Sequence, residues 1–185
     1  MNMINFVVIG YGGMGSYHTR ELMKESDGIK IVGAFDIDNT RLEEAKKNGL
    51  KVYQTLDSVL EDETIEAVLI ATPNDSHKEL AIAAMKAGKH VVCEKPVMMS
   101  TTELEEVLAV AKVEDRTFMV HQNRRWDNDF LVIRDLYNQK PIGDLFQIES
   151  RVQGANGIPG DWRHLKAHGG GMLLDWGVHL LDQVL

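Results

Sequence analysis

Residues 5–15 read Asn-Phe-Val-Val-Ile-Gly-Tyr-Gly-Gly-Met-Gly. The unbroken apolar run Phe6–Ile9 predicts a strand that is buried on both faces. Three glycines follow it with the G-x-G-x-x-G spacing of a dinucleotide-binding turn. In such a turn the first glycine allows a tight bend, the second lets the backbone approach the pyrophosphate, and the third lets the next helix pack close to the strand. The next helix would begin near Met14 and direct its unpaired N–H groups at the phosphates. The predicted cofactor contacts of this turn are Gly10, Tyr11, Gly12, Gly13, Met14 and Gly15.

An acidic residue stands where a dinucleotide site needs one. A second apolar run, residues 29–35, ends at Asp36, about 20 residues after Gly15, the offset of the carboxylate that binds an adenosine ribose. A carboxylate there accepts from the 2′-hydroxyl and repels a 2′-phosphate, so we expect NAD rather than NADP. Arg41 leaves NADP open, because it is near enough in sequence to reach a phosphate. Its alternative interpretation is a solvated residue in the first turn of a helix.

The composition narrows the class of partner. The chain has 185 residues, a formal net charge of −8 and a sequence pI of about 5.3, which suits one α/β domain plus part of another. Its Lys and Arg residues form no basic stripe, so we expect no nucleic acid partner. No apolar run reaches the roughly 18 residues of a membrane span. The N-terminal residues lack the basic region with which a secretory signal peptide begins. One cysteine, Cys93, favours the reducing cytoplasm, and small molecules are the expected partners.

Short apolar runs alternate with helical patterns through the first two thirds of the chain. This order predicts an α/β fold, a Rossmann-type doubly wound parallel sheet with right-handed crossovers. Such sheets bind ligands outside the carboxyl ends of their strands, and every motif of interest follows a predicted strand. The predicted strands are 6–9, 29–35, 51–53, 67–71, 90–94 and 118–120, and Ser76 is the expected cap of the helix that ends near Gly88.

The pattern changes after His121. We assign residues 1–123 to the nucleotide-binding domain and residues 124–185 to the beginning of an α+β substrate domain. The second part should contain a helix near residues 130–137, a long strand over Leu145–Val152, a glycine-rich loop and a helical segment over Met172–Leu185.

Four motifs together resemble the Gfo/Idh/MocA oxidoreductases, a family that includes inositol, glucose–fructose and other sugar dehydrogenases. The resemblance covers the whole chain. The motifs are Gly10-x-Gly12-x-x-Gly15, Ala71-Thr72-Pro73-Asn74-x-x-His77, Glu94-Lys95-Pro96 and Gly170-Gly171-x-x-x-Asp175-x-Gly177-x-His179-x-x-Asp182.

The resemblance implies a role for individual residues. Lys95 matches the lysine that contacts the substrate hydroxyl and the nicotinamide region. His179 matches the proposed acid/base of the family, and Asp175 matches the carboxylate that acts with that histidine. The expected contacts on the nicotinamide side of the cofactor are Thr72, Pro73, Asn74, His77, Glu94 and Lys95. The expected substrate contacts are Lys95, Asn123, Arg124, Trp162, Asp175 and His179.

Elementary chemistry supports the three catalytic assignments. Asp175 and His179 are four residues apart, so on a regular helix they share a face, where a carboxylate orients an imidazole and raises its pKa. Oxidation of an alcohol needs a base near neutrality, and a lysine can hold the oxygen. The alternatives are a solvated turn residue for Lys95, a core or capped histidine for His179 and a packing role for His77. For Trp162, packing at the domain junction competes with substrate contact.

No metal is expected. His164 and His168 are four residues apart, but the glycines from Gly169 onward argue against a helix across them, and no further ligand completes a set. Cys93 ends a predicted buried strand and suits packing. His18 is expected to pack or to lie on a helix surface.

The sequence also predicts how much of an enzyme is present. Family members are longer, with a large sheet in their second domain, and residues 180–185 end within an amphipathic pattern that has no stop signal. We expect an N-terminal portion of an NAD-dependent dehydrogenase of a sugar, cyclitol or polyol whose full-length form is a homo-oligomer. The alternative is a nucleotide-binding module without turnover, either a truncated fragment or an NAD-sensing regulator.

Overall fold

The structure is a computed structural model that describes residues 3–141, 143–154, 157 and 160–185, without the side chains of residues 22–25. The chain divides into two compact units, unit 1 (Met1–Val120) and unit 2 (His121–Leu185). Within the described ranges, no helix has both the length and the apolar character needed to cross a bilayer.

Unit 1 alternates strands and helices along its whole length. The strands are β1 (Ile4–Ile9), β2 (Ile29–Phe35), β3 (Lys51–Tyr53), β4 (Ala67–Ile70), β5 (His90–Cys93) and β6 (Phe118–Val120). The helices are α1 (Gly13–Glu25), α2 (Asn39–Lys47), α3 (Leu56–Leu60), α4 (His77–Lys86) and α5 (Thr101–Val113), with a 3₁₀ turn at Asn74–Ser76.

The six strands form one parallel sheet in the order β3-β2-β1-β4-β5-β6. This order confirms the predicted Rossmann-type, doubly wound fold. The chain runs outward from β1 to β3 and then crosses back to β4, so the strand order reverses between β1 and β4. Ligands of doubly wound sheets bind at this reversal, outside the carboxyl ends of the strands.

Both faces of the central strand β1 are buried, as its apolar run predicted. Val7 and Ile9 belong to a core cluster that includes Met85 of α4. The alternate residues Phe6 and Val8 belong to a second cluster on the opposite face of the sheet. Because successive side chains of a strand point to opposite faces, one strand contributes to two cores. Fully burying each such side chain contributes about 1.5–3 kcal/mol.

Side-chain caps begin three of the helices. Asp38 caps α2 by accepting from the Thr40 N–H, Thr55 caps α3 by accepting from the Ser58 N–H, and Ser100 caps α5 by accepting from the Glu103 N–H. The predicted Ser76 cap of α4 is wrong. Ser76 precedes that helix, but its hydroxyl donates to the Pro73 carbonyl at 2.8 Å instead and lies 2.7 Å from Thr72 Oγ1.

The part of unit 2 that the structure describes contains turns and two helices. Its elements are a 3₁₀ turn (Asn123–Trp126), α6 (Asn128–Gln139), two further 3₁₀ turns (Trp162–His164 and Lys166–His168), a π-helical turn (Leu173–Gly177) and α7 (Val178–Asp182). The predicted helix near residues 130–137 is therefore present and slightly longer than expected.

The predicted strand over Leu145–Val152 is wrong. None of the described residues of unit 2 is a strand, and Phe146 is 94% exposed. A strand is defined by hydrogen bonds to a neighbour, and alternation of apolar residues cannot supply that neighbour. Four residues of the predicted glycine-rich loop, 155, 156, 158 and 159, lie outside the described residues.

Candidate functional site

The glycine turn after β1 is shaped by close contacts. Gly10 has φ +92°, and a Cβ there would lie 2.8 Å from the Ala71 carbonyl carbon and from Thr72 Cγ2. At Gly15 a Cβ would lie 2.0 Å from the Gly10 carbonyl oxygen and 2.9 Å from Val8 Cγ1. These two glycines therefore let the turn approach the loop after β4 and let α1 approach β1.

The middle of the turn is open. A Cβ on Gly12 or Gly13 would meet no heavy atom within 4 Å among the residues that the structure describes. Since α1 begins at Gly13, its first backbone N–H groups lie at this open position. Unpaired N–H groups at a helix start, beside a backbone without side chains, fit the pyrophosphate of a dinucleotide.

Asp36 connects the end of β2 to the glycine turn. Its Oδ2 accepts from the Tyr11 backbone N–H at 2.7 Å, and its Oδ1 accepts from the Asp38 N–H at 2.8 Å. An ionised carboxylate has about four lone-pair positions, so each oxygen keeps capacity for a further donor. The predicted ribose acceptor is thus held in place by two backbone donors and retains the capacity to bind a hydroxyl.

Two further residues considered for cofactor binding, Tyr11 and Arg41, have side chains that contact other protein groups. Arg41 Nη1 lies 3.6 Å from Glu44 Oε2, one turn along α2, in an exposed ion pair. The Tyr11 side chain is fully buried, and its hydroxyl accepts from Asn48 Nδ2 at 2.9 Å. The backbone of Tyr11 therefore forms part of the glycine turn, while its ring packs in the core.

The loop after β4 carries the predicted nicotinamide contacts Thr72, Pro73, Asn74 and His77. Asn74 is 4% exposed and His77 1% exposed. The His77 ring lies between two loops, with Nε2 3.0 Å from the Thr72 carbonyl oxygen and Nδ1 3.1 Å from that of Pro96. This burial agrees with the packing alternative for His77, and a cofactor contact of its side chain stays a prediction.

Burial and hydrogen bonding act in opposite directions on His77. Desolvation lowers the pKa of the imidazole, whereas hydrogen bonds to the carbonyls of Thr72, Val97 and Pro96 and the charge of Glu94 raise it. The net pKa shift is downward. Burial therefore outweighs the hydrogen bonds and disfavours the imidazolium.

Glu94 and Lys95 follow β5 at the same edge of the sheet. Glu94 is 4% exposed; its Oε1 lies 2.5 Å from His18 Nε2 of α1, and its Oε2 accepts from the Lys95 backbone N–H at 3.2 Å. Lys95 itself is partly exposed, and a cis peptide bond joins it to Pro96. A buried glutamate thus directly precedes a lysine that solvent can reach.

His18 is a buried site residue that the sequence interpretation missed. Its side chain is 3% exposed and pairs with Glu94, which lies 76 residues further along the chain. No local spacing connects two residues so far apart, so the sequence offered only a histidine on the helix that follows the glycine turn.

Asp175 and His179 lie on one helical segment of unit 2, but that segment is not a regular α-helix. Asp175 belongs to the π-helical turn Leu173–Gly177, and His179 belongs to α7. Asp175 thus lies in a π-helical turn and His179 in the α-helix that follows it, so the shared face argued from the α-helical period stays a prediction. His179 is 4% exposed, and its ring meets the Trp176 ring edge-on at 5.9 Å.

The predicted substrate residue Arg124 packs against this helical segment. Its guanidinium lies 4.4 Å from the Trp176 ring centroid, and its carbonyl oxygen accepts from Gln183 Nε2 at 3.0 Å. The 3₁₀ turn that Asn123 begins is also joined to α7 by a two-point ion pair between Arg125 and Asp182, at 2.8 and 2.5 Å. These contacts hold the first turn of unit 2 beside the segment that carries the predicted acid/base.

The predicted substrate residue Trp162 is followed by an arginine that contacts two carboxylates. The Arg163 guanidinium lies 4.6 Å from the Trp162 ring centroid, and its Nη1 donates to Asp161 Oδ2 at 2.6 Å. Its Nε lies 3.7 Å from Asp175 Oδ1. Arg163 is a second residue that the sequence interpretation missed, because Asp175 is twelve positions away across a glycine-rich turn.

Gly170 makes that approach possible. A Cβ on Gly170 would lie 2.2 Å from the Arg163 carbonyl oxygen, and the same oxygen accepts from the Gly171 N–H at 2.9 Å. A larger residue at Gly170 would push Arg163 away from the segment that begins at Gly171. Gly170, the first glycine of the fourth motif, therefore has a packing role in unit 2.

Comparison with known proteins identifies the family. Residues 4–122 match the family model described as "Oxidoreductase family, NAD-binding Rossmann fold", and residues 130–185 match the "GFO/IDH/MocA C-terminal domain". The chain belongs to the Gfo/Idh/MocA oxidoreductase family. Residues 4–122 are thus the NAD-binding Rossmann domain of a Gfo/Idh/MocA protein, which confirms the resemblance seen in the four motifs.

Individual relatives cover the whole chain. It is 33% identical over 189 aligned residues to the scyllo-inositol 2-dehydrogenase (NADP⁺) of Bacillus subtilis, covering 100% of the chain and 52% of that enzyme. A crystal structure of an NAD-binding protein from Listeria innocua superposes with a TM-score of 0.97 at 60% identity, over 100% of the chain and 53% of that protein. GenD2 from gentamicin A biosynthesis, solved in complex with NAD, superposes with a TM-score of 0.87 at 27% identity, over 99% and 53%. The chain therefore spans about half the length of these similar proteins.

Proposed function

We propose that the protein is an NAD-dependent oxidoreductase that transfers a hydride between nicotinamide and a hydroxyl-bearing carbon of a sugar, cyclitol or related polyol. The observation that carries the proposal is that Lys95 follows β5 at the same sheet edge as the glycine turn and Asp36. A cation at the carboxyl edge of an NAD-binding sheet is suited to hold a substrate oxygen. The Bacillus subtilis relative, named for an inositol, supports a polyhydroxylated substrate.

Three side chains have distinct tasks in this proposal. Nicotinamide, when bound, accepts or supplies the hydride. Lys95 holds the hydroxyl oxygen and stabilises the negative charge that forms on it. His179 takes the hydroxyl proton, because a neutral imidazole nitrogen can act as a general base. Asp175, four positions before His179 on the same helical segment, orients the imidazole.

We also propose that NAD is preferred over NADP. The B. subtilis relative is named for NADP⁺, whereas GenD2 was solved with NAD, so the relatives do not agree on the cofactor. Asp36 supports NAD in this chain, because a carboxylate held by two backbone N–H groups would lie close to a 2′-phosphate and repel it. Arg41 is engaged with Glu44, which weakens the argument that it receives a phosphate.

A polyol panel tests the proposed reaction. The protein that carries this chain is incubated with NAD and inositols, aldoses or alditols, and formation of the reduced nicotinamide is followed by its absorbance. We expect oxidation of at least one polyol, and a Lys95→Met variant should lose at least about 100-fold in kcat while still binding NAD. Lys112→Met, on the exposed side of α5, is the matched control and should keep full activity.

The panel also has a result that contradicts the proposal. NAD binding without oxidation of any polyol would favour the alternative of a nucleotide-binding module without turnover. Full activity in Lys95→Met would leave the enzyme class intact and remove the role given to Lys95.

A further inference from the structure

Two buried histidines flank the backbone of Lys95, although neither lies near it in sequence. We infer that His18 and His77 are positioning residues that hold the chain before and after Lys95, and thereby set where its ammonium group stands at the cofactor edge. The inference rests on the proposed role of Lys95 as the group that holds the substrate oxygen. It assigns to His77 a task other than cofactor contact and gives His18 a task beyond packing.

His18 acts on the residue before Lys95. Its Nε2 lies 2.5 Å from Glu94 Oε1, and the side chains are 3% and 6% exposed. The other oxygen of Glu94 accepts from the Lys95 backbone N–H at 3.2 Å, and the Glu94 N–H donates to the Ile70 carbonyl at 2.9 Å. The carboxylate therefore links α1 directly to the backbone amide of Lys95.

His77 acts on the residue after Lys95. Its Nδ1 lies 3.1 Å from the Pro96 carbonyl oxygen, and its Nε2 lies 3.0 Å from the Thr72 carbonyl oxygen. Carbonyl oxygens only accept, so each contact is a hydrogen bond only when the facing nitrogen carries hydrogen. The neutral imidazole that burial favours has one N–H, so it donates to one of the two carbonyls at a time. Donation from Nδ1 holds the Pro96 carbonyl, and the ring lies between the loop after β5 and the loop after β4.

Packing alone does not explain these two side chains. A buried imidazole or carboxylate is costly unless it is hydrogen-bonded, and an apolar ring would fill the same volume without that cost. Among the partners of the two histidines are Glu94 and the Pro96 carbonyl, which belong to the direct neighbours of Lys95. Moreover, α1 begins in the glycine turn, so the pair of His18 with Glu94 couples the position of Lys95 to the phosphate-binding backbone.

Conservative variants of His18 and His77 separate the effect of the lost hydrogen bond from the effect of the changed side-chain volume. His18→Gln keeps a donor near the Nε2 position, whereas His18→Phe keeps the ring and removes the donor. At position 77, Asn keeps a donor near Nδ1, which faces Pro96, whereas Gln keeps one near Nε2, which faces Thr72. We expect kcat to fall about 10- to 100-fold in both Phe variants. His18→Gln and His77→Asn should recover most of it, and His77→Gln should recover less.

Binding and hydrogen exchange provide readouts that do not need turnover. The affinity for NAD, measured by calorimetry, should change by less than about threefold in the Gln and Asn variants, because they leave the glycine turn intact. In His18→Phe the exchange rate of the Lys95 amide should rise by at least about tenfold, while the amides of β1 and β4 exchange as in the wild type.

Each outcome decides the inference. Unchanged kcat and unchanged Lys95 exchange in both Phe variants would overturn it, and so would a uniform rise in exchange across unit 1, which indicates lost stability alone. Equal losses in the Gln, Asn and Phe variants would also overturn it, because the retained donor would then have no effect. If a Phe variant does not fold, the comparison of His77→Asn with His77→Gln decides. If the wild type oxidises no polyol, the proposed function fails while the exchange data still judge the positioning.

Discussion

Asp36 Oδ2 accepts a hydrogen bond from the backbone N–H of Tyr11 at 2.7 Å. Asp36 follows β2 and Tyr11 lies in the turn after β1, so one carboxylate connects the predicted ribose site to the predicted phosphate site. The same carboxylate also accepts from the Asp38 N–H, just before α2. Asp36 therefore shapes the site even before a ribose hydroxyl binds.

Removing the charge of Asp36 should change cofactor choice. Asp36→Asn keeps one acceptor oxygen but loses the charge that repels a 2′-phosphate. We expect NADH affinity to fall by about tenfold and the preference for NADH over NADPH to shrink by a similar factor, measured by calorimetric titration. Asp57→Asn, an exposed carboxylate in α3, is the control. An unchanged preference in Asp36→Asn would show that another residue discriminates between the cofactors.

Two glycines of the same turn should respond differently to alanine. Gly15→Ala places a Cβ 2.0 Å from the Gly10 carbonyl oxygen, so backbone must move, and the free energy of unfolding should fall by about 3 kcal/mol. Gly12→Ala meets open space within the described residues and should fold normally, while its methyl group obstructs the pyrophosphate and weakens NAD binding. Urea unfolding and calorimetry measure the two effects. Equal stability of the two variants would argue against the close approach at Gly15.

The acid sensitivity of unit 1 should depend on Asp62. Hydrogen bonds from Lys51, Thr64 and Tyr53 hold the pKa of Asp62 well below its usual range. A carboxyl group whose pKa is lowered by folding stabilises the protein above its unfolded pKa of about 4, and that contribution is lost as the pH falls further.

Urea unfolding at several pH values checks the assignment to Asp62. Asp62→Asn should therefore be less stable than the wild type at pH values near 7 and 5, and the difference should shrink below about pH 4. Glu61→Gln, at the neighbouring exposed position, is the control. A difference between Asp62→Asn and the wild type that is independent of pH would refute the electrostatic explanation.

Replacing Arg163 should lower the rate of turnover without changing the affinity for NAD. Its Nε lies 3.7 Å from Asp175 Oδ1, so it can hold the carboxylate that is proposed to orient His179. Arg163→Met should lower kcat about tenfold and leave the NAD affinity of unit 1 unchanged. Arg163→Lys should be intermediate, because it keeps the charge but loses the planar group that stacks on Trp162. Arg151→Met is the exposed control, and a loss of NAD affinity in Arg163→Met would contradict the assignment.

Local signals in the sequence predicted most of unit 1. Helix α5 (Thr101–Val113) has such signals, because Glu103 lies in its first turn and apolar residues recur along it at helical spacing. The predicted end of α4 near Gly88 is confirmed, and Gly88 and Gly49, the glycine that follows α2, both have φ near +80°. In each case the information lies within a few residues of the feature.

The errors and omissions share a physical cause. Residues 145–152 alternate as a strand does, yet whether they pair depends on a neighbour that the segment itself cannot specify. The contacts of His18 with Glu94 and of Arg125 with Asp182 join residues 76 and 57 positions apart, and only the fold brings them together. The π-helical turn at Asp175 also lies within an ordinary helical pattern, so periodicity could not reveal it.

Calorimetric titration of this chain with NADH and, separately, with NADPH tests the nucleotide site, because unit 1 contains the glycine turn and Asp36 together. We expect NADH to bind at least about tenfold more tightly than NADPH. Equal binding of both, or tighter binding of NADPH, would contradict the role given to Asp36. Binding of neither by the folded chain would contradict the nucleotide site itself.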